Sequence, residues 1–411
     1  MSKTYPKIPL AQIAQIERGK FSARPRNDPQ FYGGDIPFLQ TGDIARAGRN
    51  IKSWTQTLND RGLEVSRLFP RGTIFMSIAA NIGDVAISMF DAACPDSVVA
   101  VTPKQGVDSE RLFQTLKFSK ARLSALSTQN AQANLSLEKI EPFKVHTSSF
   151  PEQRKIGEIL RIWDLGIEKL EALRAAKVQR HRALTHSLVF GTRQLDRFHT
   201  TDEVTPHRWF TLPASWGAMP IGKLAKEIAE RNAEGEQHEV LSCSKYDGFV
   251  RSLEYFKKQV FSADLSGYKK IWRGDFGFPS NHVEEGSIGL QNLIDVGVVS
   301  PIYTVFRFDP KKVDGAYAFA VLKTGLYRHI FEVSTSASVD RRGSLRWSEF
   351  SKLPFPLPPL AEQQAIAEVW RTAQIDLDAL SKEIDLLTRQ KRGLMQKLLT
   401  GEWRVQVEEA A

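Results

Sequence analysis

A mixed α/β fold, built as two tandem globular modules that are each followed by one long helix, is predicted by three observations. The first is length: 411 residues exceed what a single hydrophobic core usually supports, so two or three domains are expected. The second is a long internal repeat. The third is a heptad seam that occurs twice, once in each copy.

The repeat is anchored by Glu152-Gln153, which recurs 210 residues on as Glu362-Gln363. At the same offset Ile156 matches Ile366, Leu160 matches Trp370, Leu170 matches Leu380, Leu184 matches Leu394, Leu188 matches Leu398 and Gly191 matches Gly401. Upstream the offset drifts, as loop insertions would make it. Phe113, Leu116 and Lys117 match Phe319, Leu322 and Lys323 at 206, and Pro9, Ile13 and Ala14 match Pro220, Leu224 and Ala225 at 211.

The seam in the second copy runs through Ile366, Trp370, Leu377, Leu380, Ile384, Leu387, Leu394 and Leu398, broken by Lys391. In the first copy it runs through Ile156, Leu160, Trp163, Ile167, Leu170, Leu184 and Leu188, broken by Arg174, Lys177 and His181. A seam this long is expected to pair with another helix, the nearest candidate being its own repeat partner. About 40 residues at ~1.5 Å each give a rod of roughly 60 Å. The organisation expected is therefore a first module over 1–148, a central helix over 149–191, a polar linker and second module over 192–359, and a C-terminal helix over 360–411. Within the modules, short β-rich runs such as Gly72–Met76, Asp84–Ser88 and Pro301–Phe306 lie between Gly and Pro turns.

Hydrophobic residues make up 42% and charged residues 25%, and the formal net charge is +9. A basic balance points to a polyanionic partner such as nucleic acid or an anionic membrane surface. Cys94 and Cys243 stand far apart, so neither a disulfide framework nor a CxxC metal site is expected, and a reducing, cytoplasmic setting is the plain expectation. No stretch reaches the length of apolar residues that a membrane span needs. Gly217-x4-Gly222-Lys223 has the spacing of a phosphate loop, but Leu224 stands where a magnesium-binding hydroxyl is required. His181 and His186 are five apart, which does not set them on one helical face as a metal pair. No residue stands out as a nucleophile or general base, and no metal site is expected.

Phe31-Tyr-Gly-Gly-Asp-Ile-Pro-Phe-Leu-Gln-Thr-Gly-Asp43, Leu68-Phe-Pro-Arg-Gly-Thr73, Asn81-Ile-Gly83, Leu353-Pro-Phe-Pro-Leu-Pro-Pro-Leu-Ala-Glu-Gln363 and Leu398-Leu-Thr-Gly401 together resemble the specificity subunits of type I restriction–modification systems. The resemblance covers nearly the whole chain. It departs at Thr147–Gln153, which lacks the proline pair, and at Trp272-Arg-Gly-Asp275, where Pro-x-Gly-Thr is expected. The resemblance implies two target-recognition domains held apart by two antiparallel helices with pseudo-two-fold symmetry, and a non-catalytic subunit that reads a bipartite target in double-stranded DNA with an unread spacer. It further implies two methyltransferase subunits and a nuclease subunit as partners. S-adenosylmethionine, ATP and magnesium would belong to those partners, with no cofactor in this chain.

Under that reading, phosphate contacts are expected from Lys20, Arg24, Arg26, Arg46, Arg49 and Lys52 in the first module. In the second they are expected from Lys245, Arg251, Lys257, Lys258, Lys269, Lys270, Arg273, Arg341 and Arg342. Asn81, Asn281, Arg24 and Tyr246 are the candidates for base reading. The competing expectations are a protein scaffold that uses its helices and binds no DNA, a nucleic-acid enzyme with a concealed active site, and a specificity subunit that assembles but no longer reads DNA.

Overall fold

The computed structural model describes residues 4–127, 134–245, 248–335 and 344–407. It divides into two compact units. Unit 1 takes residues up to Glu171 together with those from Lys382 onward, and unit 2 is the continuous stretch Ala172–Ser381.

In unit 1 the elements follow as β1 (Lys7–Pro9), β2 (Ala14–Arg18), β3 (Asn50–Ile51), β4 (Ile74–Ser77), β5 (Val85–Ser88), β6 (Val98–Pro103), α1 (Ser109–Phe118), β7 (Lys144–His146) and the first part of α2 (Phe150–Val189). Five of these strands form one sheet in the order β2-β6-β4-β5-β3. All its pairings are antiparallel except β3 with β5, which is parallel. The sheet is buried on both faces, which is why β4 to β6 read as near-continuous apolar runs rather than alternating ones. Ile74, Met76, Val85, Ile87, Val99 and Val101 pack on one side with Leu112, Phe113 and Leu116 of α1. Phe75, Ala86, Val98 and Ala100 pack on the other with Leu39, Ile44 and Phe69.

Unit 2 repeats this plan. Its elements are β8 (Gly217–Pro220), β9 (Ala225–Glu227), β10 (Leu241–Ser244), β11 (Gly248–Arg251), β12 (Phe276–Pro279), β13 (Gly289–Leu290), β14 (Tyr303–Phe308), α3 (Gly315–Leu322), β15 (Pro354–Leu357) and the first part of α4 (Leu360–Thr400). The sheet order β9-β14-β12-β13 matches β2-β6-β4-β5. The small ladder β8–β15, with Met219 opposite Phe355, matches β1–β7, with Ile8 opposite Val145. Here one face is aromatic: Phe276, Phe278, Phe306 and Phe308 share a core with Phe331, Phe350 and Phe355.

The sequence departure at Trp272–Asp275 leaves the turn intact. Gly72 and Gly274 both adopt left-handed φ, 88° and 90°. The Thr73 N–H donates to Pro70 O and the Asp275 N–H to Trp272 O, each leading into the equivalent strand. Gly217–Lys223 is a strand and a short 3-10 turn followed by strand β9. A phosphate loop must open a helix at that point, so the geometry excludes one.

Each unit also contains an antiparallel helix pair. In unit 1, Ile156 and Leu160 of α2 pack with Met395, Leu398 and Leu399 of α4. In unit 2, Leu188 and Leu184 of α2 pack in one core with Ile366 and Trp370 of α4. The seam residues Trp163, Ile167, Leu170, Leu377, Leu380, Ile384, Leu387 and Leu394 are all buried or half-buried.

The polar residues that break the seam are partnered. The Lys391 ammonium is buried and lies 2.5 Å from Asp164. Lys177 pairs with Asp376 at 2.6 Å, and the Arg174 guanidinium donates to Ser381 Oγ. The His181 ring sits against Trp370 with 6.1 Å between centroids, and burial lowers its pKa.

Candidate nucleic-acid interface

The recurring Glu-Gln motif joins each helix to its module by hydrogen bonds repeated atom for atom. Gln153 Oε1 accepts the Asp108 N–H and its amide donates to Ser148 O. Gln363 Oε1 accepts the Asp314 N–H and its amide donates to Pro358 O and Lys312 O. Asp108 and Asp314 in turn cap α1 and α3, each accepting an N–H from the first turn.

The glutamates are satisfied by different residues at equivalent positions. Glu152 accepts from Tyr5 Oη and Arg404, and Glu362 accepts from Trp216 Nε1 and Gln194. Burial works against the Glu152 carboxylate, but bonds from Ser149, Arg404 and Tyr5 outweigh it and hold its pKa below the usual range. At Glu362 burial prevails over the neutral donors Gln194 and Trp216, and its pKa is raised.

A second pair of equivalent residues seals the far end of each helix pair. The Arg111 guanidinium is buried and donates to His146 O at 3.0 Å and Leu399 O at 3.2 Å. Burial pushes its pKa down to about 10. In unit 2 the Tyr317 hydroxyl lies 3.2 Å from Pro356 O and 3.4 Å from Val189 O. The two side chains share a role and no chemistry, so no identity match between the copies reveals them.

On these two scaffolds the candidate cations fall into three sets. Arg49, Lys269 and Lys270 are each held by a partner within their own module. Arg49 is half-buried and bound to Glu110. The Lys269 ammonium donates to Tyr303 O, and burial lowers its pKa. Lys270 is held by Glu236 at 3.0 Å and Glu230 at 3.9 Å.

A second set is exposed but already paired at the surface. Arg26 meets Asp96, Arg46 meets Asp43, Lys52 meets Glu168, Arg251 meets Glu239, and Arg273 meets Asp295. Asp43 is buried and also holds Gln40 and Thr55; the other pairs are worth ~0–1 kcal/mol, so a phosphate can displace their carboxylates. The third set has no carboxylate partner among the described residues: Lys20, Lys257 and Lys258 are exposed, and exposed Arg24 donates only to the backbone oxygens of Phe21 and Ala23. Lys245 is exposed. Tyr246, Arg341 and Arg342 lie outside the described residues.

Of the two asparagines proposed to read bases, Asn81 is exposed beside the turn that precedes β5. Asn281 is half-buried, with its Oδ1 enclosed and unpartnered. It is followed by His282, Glu284 and Glu285, whose ligand-type atoms lie within 4.8 Å of one another. Half of the fork that a base edge requires is therefore turned inward, beside carboxylates that repel phosphate. What the sequence reading missed is a set of exposed aromatic rings: Trp54 in the first module, and Tyr255 and Phe256 in the second.

No helix among the described residues is long and apolar enough to cross a membrane. A family model for the type I restriction modification DNA specificity domain matches residues 3–179. The type I restriction enzyme MjaIX specificity subunit of Methanocaldococcus jannaschii is 26% identical over 234 residues, which is 54% of this chain and 52% of that protein. The Escherichia coli EcoprrI specificity subunit is 28% identical over 80 residues, 20% of either chain. The chain thus spans about half the length, or less, of these curated relatives. The crystal structure of the type I restriction–modification S subunit from M. genitalium shares the fold with a TM-score of 0.56, at 13% identity and over 96% of both chains. A structure from work on complex assembly and conformational transition of the type I system matches with a TM-score of 0.55, at 15% identity, over 98% of this chain and 99% of that one.

Proposed function

We propose, from the chain's similarity to type I restriction–modification specificity subunits, that it reads double-stranded DNA and carries no chemistry of its own. Each module reads one half of a split target, and the stretch between the halves is left unread. The target so chosen is handed to methyltransferase subunits, two in number, and to a nuclease subunit. S-adenosylmethionine, ATP and magnesium act in those partners.

The observation that carries this reading is the repeat itself. Two modules have one sheet order and one Gln-centred attachment to the helices, yet their exposed loop chemistry differs. A fixed frame with variable tips suits a protein that reads two different half-sequences. Exposed cations supply position and salt-dependent affinity, and side chains with paired donors supply base choice. Surface pairs such as Arg26–Asp96 and Arg273–Asp295 keep these cations extended until a phosphate replaces the carboxylate.

Methylated bases are to be mapped across the genome of cells that express the methyltransferase subunit with and without this chain. The expected result is a split motif present only with the chain, one half of which changes when one module is exchanged. Unchanged methylation with the partner complex intact would refute the reading and favour a scaffold that binds protein alone. A salt-sensitive mobility shift on duplex DNA separates those two alternatives.

A further inference from the structure

In each module the chain leaves a strand that lies beside the end of the sheet and exposes aromatic and lysine side chains. β3 runs parallel to β5, with Asn50 opposite Ile87. β11 lies against β13, the counterpart of β5, so closely that a Cβ on Gly289 would come within 2.9 Å of the Phe249 nitrogen. After β3 come Lys52 and Trp54, the latter 40% exposed with its ring edge-on to Phe90 and with exposed Met89 next to Phe90 in the chain. After β11 come Leu253, Tyr255 and Phe256, exposed by 56%, 51% and 41%, then Lys257 and Lys258.

The second tip is built for contact. Tyr255 and Phe256 pack edge to face on one another, 5.0 Å between centroids, and neither ring is buried in the core. Lys257 holds a left-handed φ of 53°, rare for a residue with a side chain. It ends the short helical turn Ser252–Phe256. Neither lysine has an ion-pair partner among the described residues, whereas most other candidate cations do. Exposed apolar rings beside unpaired positive charge fit a surface that is apolar and anionic at once, as the sugars, base edges and phosphates of a duplex are.

We propose that these two tips, Lys52–Trp54 and Tyr255–Lys258, are where the modules grip duplex DNA, with lysines on phosphates and aromatic rings on the sugars and base edges. The inference rests on the DNA-reading function proposed above and assigns it to residues.

The test uses the full chain in complex with its methyltransferase subunits and a pool of random-sequence duplex DNA, with affinity measured across a salt series. The variant pair Tyr255→Ala and Phe256→Ala should weaken binding about tenfold or more and leave the salt slope unchanged. Lys257→Ala with Lys258→Ala should flatten the slope by about 2, since each lost phosphate contact removes ~0.9. Trp54→Ala repeats the aromatic test in the other unit, and a thermal unfolding midpoint equal to that of the parent chain shows that each variant is folded.

If the parent complex binds duplex and all of these variants match it within twofold, the tips are not the grip and the DNA-reading function stands. If the parent complex binds no duplex, both fall. If the variants keep DNA affinity but release the methyltransferase subunits, the tips are a protein dock and the proposal is overturned.

Discussion

Gln363 is a near-fully buried side chain whose loss should be felt out of proportion to its size. Its amide accepts the Asp314 N–H at 2.9 Å and donates to Pro358 O at 2.9 Å and Lys312 O at 3.0 Å. Each such bond contributes ~1 kcal/mol net, and orphaning the Asp314 N–H adds ~1–3 kcal/mol if water does not replace the glutamine. Gln363→Ala should therefore cost about 3 kcal/mol where water replaces the amide and about 4–6 kcal/mol where it does not. In a unit of this size that lowers the melting midpoint by roughly 6–24 °C. At Gln153 two bonds are good and the third, to Gly106 O, is stretched to 3.5 Å, so Gln153→Ala should cost less, about 2–5 kcal/mol. Calorimetry with hydrogen exchange at the Asp314 and Asp108 amides reads the two effects. Gln363→Glu is the sharper test, because it keeps the shape and the acceptor but turns charge toward two carbonyl oxygens. It should destabilise at least as much as alanine. A Gln363→Glu chain that melts with the parent, its Asp314 amide still protected, would refute the clamp.

The two motif glutamates should respond to pH in opposite senses. Glu152 has a lowered folded pKa, so its stabilisation is present above the unfolded carboxylate value and is lost as pH falls through the folded one; Glu362 has a raised pKa, so its cost at neutral pH is relieved on acidification. Glu152→Gln should then lower the midpoint at neutral pH, while Glu362→Gln should leave it level or raise it, as unfolding scans from neutral pH to about pH 4 would show. In the buried Lys391–Asp164 pair, Lys391→Met should cost less than the ~3–5 kcal/mol of a stranded buried charge, because Lys117 and Gln114 still hold the Asp164 carboxylate; urea unfolding reads the loss, and Asp164→Asn added to it should recover part of it.

How much of this was legible in the sequence depends on how far each interaction reaches. The seam, the modules and the 210-residue offset could be read because helical periodicity and repeated identities are local signals. The meaning of Glu152-Gln153 could not, since its partners Asp108, Tyr5 and Arg404 lie from 45 to 252 residues away. The same distance problem hid which cations are spoken for. Nothing local distinguishes Arg49, bound to Glu110, from Lys20, which has no carboxylate partner among the described residues. Arg111 and Tyr317 were invisible for the opposite reason: their geometry is shared and their side chains are not.

The sealing of Leu399 O by Arg111 has a consequence for the order in which the chain is completed on the ribosome. Unit 2 is one uninterrupted stretch, whereas unit 1 is finished by residues from Lys382 onward. The later-made unit has all its parts first. Tyr5, Ile156 and Leu160 stay without their partners Thr400, Met395 and Leu398 until the end of α4 is released. The usual N-terminal-first order of domain completion thus holds for the first module's sheet but not for the helix pair of unit 1, which connectivity makes late. A nascent chain stopped a few turns short would carry the sheets of both modules complete and only the helix pair of unit 1 unclosed.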